Sequence, residues 1–269
     1  MDEILKITDL TFYYGDSKKI SNLNLLLNYN DWYTLVGKNG SGKTTLVKII
    51  CGLLDNYDGN IEFNFLELNK ENLFEIRTRM SVLFSNVDDL IVEDNVYDEI
   101  TFELKNMDYS KDLIEQSIEE IDEYTHIKDI MEKDILELTL EEKYLLVLTS
   151  ALIIKPKMLI IDETFSRLDK SLRKKLYNII NLYRDDNKLT VLNITHNLED
   201  SLLGNNIILL EDGEIKFNES VKKVFDDKLL SEDNAKLPFV VELSEYLKLY
   251  NVIKENYYDM EELVDALWK

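Results

Sequence analysis

Five side chains in this sequence have types and spacing that could do chemistry: Lys43, Thr44, Asp162, Glu163 and His196. Lys43 and Thr44 belong to the run Gly37-Lys38-Asn39-Gly40-Ser41-Gly42-Lys43-Thr44-Thr45. There Gly37, Gly42, Lys43 and Thr44 match the pattern G-x-x-x-x-G-K-[ST]. Glycines let backbone N–H groups turn inward and approach phosphate oxygens closely. A helix starting near Gly42 points its positive end at the anion. Lys43 adds a point charge that can reach the β- and γ-phosphates. Thr44 offers a hydroxyl to Mg²⁺, an ion that takes few protein ligands and keeps phosphates and waters as the rest. A glycine-rich turn with a chance lysine is the bland alternative. The context opposes it, because Trp32 to Val36 reads as a strand before the loop and Leu46, Ile49 and Ile50 follow at helical spacing. The run predicts binding of a nucleoside triphosphate.

Asp162 and Glu163 close the run MLIIDE, a fully apolar strand ending in two carboxylates. Such a strand can deliver Asp162 to hold Mg²⁺ and Glu163 to polarise an attacking water. An ordinary strand with acidic cap residues is the alternative, and the preceding phosphate loop argues against it. His196 ends the next apolar strand, in NITHNLED, where a group contacting the γ-phosphate belongs. His126, the other histidine, has no such context and is assigned no role.

The elements that must position these groups can be read in order. Ile4 to Tyr14 and Leu23 to Leu27 read as strands around a turn at Gly15 to Lys18. Tyr14 could stack on an adenine; spacing alone favours a strand aromatic packed in the core. Asp58-Gly59-Asn60 reads as a turn before a strand at Ile61 to Phe65. A short helix (Asn72 to Arg79), a strand (Met80 to Phe84) and helices over Glu93 to Glu103 and from Ser110 follow. Thr139 and Glu142 have the spacing of a capping box, so a helix should begin there. Asp169 to Tyr183 is an amphipathic helix, Leu189 to Ile194 a strand, and Asp212-Gly213 a hairpin turn between Ile207–Leu210 and Glu214–Phe217. After Val221 to Phe225 the tail is a set of short helical patterns, broken at Pro238.

At 269 residues the chain can hold one large domain or one domain plus a small appendage. Asp and Glu number 53 against 31 Lys and Arg, a formal charge of −22, which opposes contact with nucleic-acid backbones. The single cysteine, Cys51, excludes an internal disulfide and reads as a buried thiol. MDEILKITDL carries no secretion signal, and the longest apolar segment, Leu145 to Ile154, is too short to span a bilayer. Membrane attachment would therefore need a partner.

Together these residues resemble the nucleotide-binding subunit of an ABC transporter over the whole chain. Gly37 to Thr45 resembles Walker A, and Met158 to Glu163 resembles Walker B with its catalytic glutamate. Ser166-Arg167-Leu168-Asp169 resembles the D-loop, and His196 matches the switch histidine. Tyr14 matches the adenine-stacking aromatic of the A-loop, which reverses the preference for a core role. Within the family the chain is most similar to the ATPases of energy-coupling factor (ECF) transporters, which import vitamins and transition metals into prokaryotes. VLFSNVDDLIVEDNVYDEITFELKN resembles their Q-loop and following helix; LPFVVELSEYLK and EELVDAL resemble their C-terminal extension.

The resemblance implies an α/β P-loop NTPase fold: a RecA-like core with an antiparallel β subdomain and a helical insertion, followed by a small C-terminal helical extension. The nucleotide-binding domain would span 1–225, with the insertion at about 86–150, and the extension 226–269. It implies ATP and Mg²⁺, a second ABC ATPase subunit, an integral membrane transport subunit, no nucleic acid, and a peripheral place on the cytoplasmic side of the cell membrane. Gly37, Asn39, Gly40, Ser41, Gly42, Lys43, Thr44 and Thr45 would hold the phosphates; Thr44 and Asp162 would hold the metal.

Two departures matter. Where the family signature is usually LSGGQ, Leu138 to Glu142 reads LTLEE. Thr139 keeps a hydroxyl at a helix start, but Leu140 removes a glycine and Glu141 and Glu142 place carboxylates where an anion should dock. Unit charges about 4 Å apart repel by roughly 4 kcal/mol at an effective dielectric near 20. Ser85 falls where the Q-loop glutamine should be, and is too short for the same metal and water contact. These features point to an asymmetric dimer with a different ATPase, in which LTLEE faces the partner's nucleotide. A non-catalytic nucleotide-binding subunit is the alternative. A soluble ABC protein acting on DNA or the ribosome is a weaker one, opposed by the charge and the single cassette.

Overall fold

The computed structural model describes residues 3–230 and 236–268. Chain positions 231–235 and 269, within the expected C-terminal extension, lie outside the described residues, as do positions 1 and 2.

Alternating apolar residues make the first two strands. In β1 (Glu3–Tyr14) Leu5, Ile7, Leu10 and Phe12 are buried; in β2 (Ser17–Asn28) Leu23, Leu25 and Leu27 are. The turn between them is tighter than the sequence suggests, since Tyr14 already pairs with Ser17. β3 (Trp32–Val36) is buried at every position, as a strand covered on both faces must be. The phosphate-loop segment then leads into α1 (Lys43–Ile50), whose Leu46, Val47, Ile49 and Ile50 face inward.

β4 (Tyr57–Phe63) overturns the expected turn at Asp58-Gly59-Asn60. These residues lie inside the strand, where Asp58 pairs with Thr11 and Asn60 with Thr8 of β1 across a bulge. Gly59 has φ +104, and a Cβ there would stand 2.7 Å from the carbonyl oxygens of Thr8 and Asp9. The glycine marks a close backbone approach, which a short sequence window reads as a turn.

β5 (Leu66–Glu67) and α2 (Leu73–Arg77) precede β6 (Met80–Leu83). α3 (Val96–Asn106) starts three residues later than expected, because Asn95 accepts from the Asp98 N–H as its N-cap. α4 (Lys111–Thr125) is capped by Ser110 and α5 (Leu140–Ile153) by Thr139. β7 (Met158–Asp162), α6 (Lys170–Asn187), β8 (Thr190–Ile194), β9 (Asn206–Glu211) and β10 (Glu214–Ser220) complete the strand set. α7 (Val221–Asp226), α8 (Phe239–Leu249) and α9 (Met260–Leu267) close the chain.

The strands form two sheets. The first has the order β2-β1-β4-β5 and is antiparallel throughout. The second has the order β10-β9-β3-β8-β7-β6; its strands run parallel except the edge strand β10. One apolar core joins the inner face of the antiparallel sheet to α1 and to Tyr33, Leu35, Ile160 and Leu192 of the parallel sheet. A second gathers α3, α4, α5 and α6 on the opposite face around Trp32, Leu159 and Val191. A third places α7, α8 and α9 against β9 and Val36. The parallel strands end on one edge, and β3 sits where chain order reverses between its neighbours β8 and β9. In open α/β sheets ligands bind at such a point.

Candidate functional site: a phosphate loop and two strand ends

The register of the parallel sheet builds the site. Leu35 of β3 stands opposite Ile194 of β8, and Ile194 stands opposite Asp162 of β7. The residues just beyond these positions, namely the phosphate loop, Thr195-His196 and Glu163, therefore emerge side by side.

Two glycines are required by the packing of the loop. A Cβ on Gly37 would lie 2.2 Å from the Leu210 carbonyl oxygen. Gly42 has φ +114, and a Cβ there would meet Ile20 Cδ1 at 2.9 Å and the Lys19 carbonyl oxygen at 3.2 Å. The start of β2 is thus pressed against the loop. Gly42 is also the N-cap of α1, which has no side-chain cap and no acidic residue in its first turn. The first N–H groups of α1 are left for an anion. The Ser41 hydroxyl is buried with no hydrogen-bond partner among the described residues. Thr45 is buried, and Asn39 and Gly40 are exposed at the crest of the loop.

Lys43 is 5% exposed and donates to the carbonyl oxygens of Gly37 at 2.8 Å and Lys38 at 3.2 Å. Its ammonium stands 3.9 Å from Glu163 Oε1. Burial pulls the Lys43 pKa down, opposed by the charges of Glu163 and Asp162. Asp162 is buried and accepts from the Thr44 hydroxyl at 3.4 Å. Burial raises its pKa, with the Thr44 hydrogen bond acting the other way. One carboxylate and one hydroxyl side by side suit Mg²⁺, which keeps most of its shell as water and phosphate.

Glu163 has φ +55, an uncommon conformation for a side-chain-bearing residue. It is held there from both sides. Its N–H donates to the Ile194 carbonyl at 3.0 Å, and its carbonyl accepts from the Ser166 hydroxyl at 2.7 Å and the Ser166 N–H at 3.2 Å. Glu163, His196, Gly37, Lys38 and Asn39 line one cavity of about 360 Å³. Glu163 and His196 thus face one cavity beside the phosphate loop, and Lys43 reaches Glu163 from the loop.

His196 is exposed, but its backbone is fixed by a buried network that sequence inspection missed. The Asn197 N–H donates to the Thr195 hydroxyl at 3.0 Å, which donates to Asp200 at 3.0 Å. Arg173 of α6 stands 3.3 Å from Asp200, and Tyr177 donates to it at 3.4 Å. Thr164 was missed as well; its hydroxyl donates to the Leu83 carbonyl at 2.6 Å and ties the end of β7 to the end of β6. No local pattern marks either, because Arg173 and Tyr177 reach Asp200, and Thr164 reaches Leu83, from distant parts of the sequence.

Tyr14 is 48% exposed and meets Phe12 edge to face, with centroids 4.9 Å apart. This corrects the core role that spacing favoured: a ring at the end of a hairpin has nothing to pack beneath. Ser85 is exposed in the loop after β6 and does not line the Glu163 cavity. Thr139 stands apart as well. Its N–H and hydroxyl donate to Glu142 Oε2 at 2.8 and 3.0 Å, and its hydroxyl accepts from the Glu142 N–H at 3.3 Å. Lys133 holds the other oxygen of Glu142 at 2.6 Å, and Lys175 holds Glu141 at 2.6 Å. The Lys133 contact and the Thr139 N–H keep the Glu142 pKa low.

The ABC transporter family model matches residues 20–166, more than half of the chain. The chain belongs to the ABC transporter family. The ECF transporter ATP-binding protein EcfA1 of Oenococcus oeni is 31% identical over 99% of this chain and 98% of that one. EcfA of Pediococcus pentosaceus is 31% identical over 92% of this chain and 90% of that one. Among solved structures, cbiO1 from Clostridium perfringens, described as part of the ABC transporter complex cbiONQ, superposes with a TM-score of 0.80. That match covers 93% of this chain and 96% of that one at 22% identity, and so shows the fold. The chain thus has the P-loop NTPase fold of ABC ATPases, and both relatives named above are ECF transporter ATP-binding proteins. No helix among the described residues is long and apolar enough to cross a membrane.

Proposed function

We propose that this chain is the ATP-binding and ATP-hydrolysing subunit of an ECF-type importer of a vitamin or metal ion, working in an asymmetric dimer with a different ATPase. The cavity that Glu163 and His196 share with the phosphate loop, with the Lys43 ammonium 3.9 Å from Glu163, carries this reading.

Tyr14 offers its exposed face to the adenine. The N–H groups of Gly37 to Thr45 surround the phosphates, and Lys43 exchanges its carbonyl partners for phosphate oxygens. Thr44 and Asp162 would hold Mg²⁺, which neutralises charge on the β- and γ-phosphates when bound. Glu163 takes the proton of the attacking water, and its held backbone fixes where that water must stand. His196 donates to the γ-phosphate and loses that contact on hydrolysis. The second ATPase chain closes over this site with its own signature segment.

LTLEE would face the partner's nucleotide in return. Thr139 and Glu142 satisfy each other and Lys133 holds the carboxylate in place, which supports a slow or structural second site. A groove of about 600 Å³ beside the Ser85 loop, lined by Leu83, Leu90, Val92, Glu99, Phe102 and Val147, would receive the membrane subunit. That contact would hold the chain on the cytoplasmic side of the membrane. We assign the nucleotide-binding domain to 1–225, including a helical insertion at about 86–150, and a C-terminal extension to 226–269.

The exposed, short Ser85 favours a second reading, a nucleotide-binding subunit that does not turn over. Affinity purification from gently solubilised membranes tests the assembly. The expected result is recovery of an integral membrane protein and a second ATPase with an LSGGQ-like segment. Recovery of the chain alone or as a homodimer would contradict it.

A further inference from the structure

The phosphate loop carries a second ammonium group that its motif does not require. Lys19, the third residue of β2, donates from Nζ to the carbonyl oxygen of Gly40 at the crest of the loop. Its own carbonyl lies against Gly42 and Gly213, so its backbone is fixed on the loop rather than free beside it.

The charge around Lys19 is uneven. Acidic residues outnumber basic ones by 53 to 31, and lysines such as Lys128, Lys155 and Lys175 each hold a carboxylate. Among the described residues no carboxylate is paired with Lys19; its bond is to a neutral carbonyl. Lys19 and Lys43 both donate to carbonyl oxygens of the same loop, Lys19 to Gly40 and Lys43 to Gly37 and Lys38. Two like charges on one loop raise the energy of the empty loop, and an anion between them relieves it.

Position decides which part of the anion each lysine meets. Lys43 bonds to Gly37 and Lys38, on the side of Glu163 and His196. Lys19 bonds to Gly40 and follows Ser17, the hairpin partner of Tyr14, by two residues. A nucleotide with its base on Tyr14 and its reacting end at Glu163 passes Lys19 first. The Lys19 ammonium has three donors, one engaged by Gly40, leaving two for phosphate oxygens.

We propose that Lys19 is a second phosphate-binding cation of this site, contacting the α- and β-phosphates of the bound nucleotide. The inference rests on the nucleotide reading above and deepens it: Lys43 serves the reacting end, and Lys19 grips the part shared by ATP and ADP. It gives the site affinity for the product as well as the substrate.

The test is calorimetric titration of the full chain with Mg-ATP, ADP and adenosine, comparing wild type, Lys19→Met, Lys19→Arg and Lys43→Ala. Lys19→Met keeps the apolar stem and should weaken ATP and ADP by roughly the same factor, on the order of tenfold, the range of a charged hydrogen bond. Adenosine should be unaffected, and Lys19→Arg should restore most of the loss. The dependence of ATP affinity on salt should also become shallower in Lys19→Met. ATP and ADP affinities within twofold of wild type, or an equal loss for adenosine, would overturn the role of Lys19. Lys43→Ala separates the two levels of the argument. If it binds ATP as wild type does, the nucleotide reading fails; if it loses ATP while Lys19→Met does not, only the Lys19 assignment fails.

Discussion

Two helix N-termini in this molecule meet the same physical problem in opposite ways. α1 begins at Gly42 with a left-handed backbone, no capping side chain and no acid in its first turn. α5 begins at Thr139 with a complete capping box, acids at Glu141 and Glu142, and Lys133 and Lys175 holding those acids. Every helix start leaves N–H groups unsatisfied. α1 keeps them open, at some cost to its own stability, and so can take a phosphate. α5 caps itself, the Thr139 hydroxyl taking the Glu142 N–H and the Glu142 carboxylate taking the Thr139 N–H, and gains stability instead. The family signature would ask α5 to behave like α1, and its sequence has moved the other way.

Exchange of the two behaviours would break this comparison. Gly42→Ala should abolish nucleotide binding, because the left-handed conformation and the contacts with Ile20 and Lys19 leave no room for a methyl group. Thr139→Ala should cost about 1 kcal/mol of stability, the worth of a cap, and leave nucleotide binding by this chain intact. Equilibrium denaturation and ATP titration read both. A Thr139→Ala chain that loses nucleotide as Gly42→Ala does would end the distinction.

A smaller effect sharpens it. Leu140→Gly, Glu141→Gly and Glu142→Gln together rebuild a signature-like start on α5. Turnover of the whole complex should rise severalfold, while the isolated chain loses roughly 1 kcal/mol per glycine introduced. Unchanged turnover with the expected loss of stability would mean that α5 does not face a nucleotide.

The smallest effect concerns the strut behind His196. Burial raises the Asp200 pKa above the ordinary aspartate value despite Arg173 nearby. Between about 4, its unfolded value, and its raised folded value, the native chain binds the proton more than the unfolded chain does. The Asp200 contribution therefore makes stability fall as pH rises through that window. Asp200→Asn should flatten that slope in urea denaturation at a series of pH values, and it should loosen Thr195 without touching Lys43.

What the sequence showed and what it hid follow from the range of the interactions. The phosphate loop, the MLIIDE strand and the capping box at Thr139 are contiguous, and each was readable from residue types a few positions apart. The third partner of the capping box, Lys133, was not, since it reaches Glu142 from a separate turn. Asp200 and Arg173 come from β8's exit and α6, and only the fold joins them. Asp58-Gly59-Asn60 misled for the same reason: its glycine answers to the backbone of β1 some fifty residues earlier, not to its neighbours. Tyr14 misled in the opposite sense, because alternation along β1 cannot show that the strand runs past the edge of the core.

The central proposal is that the site built on this chain's own phosphate loop hydrolyses ATP and that the site facing its LTLEE segment is slow or structural. The most direct test is steady-state ATPase activity of the purified complex carrying Glu163→Gln, beside one with the matching glutamate of the second ATPase replaced. Glu163→Gln should lower turnover by at least about a hundredfold, as loss of a general base does, with ATP still bound, and the partner substitution should leave most activity. Turnover unchanged by Glu163→Gln, or abolished only by the partner substitution, would contradict the account.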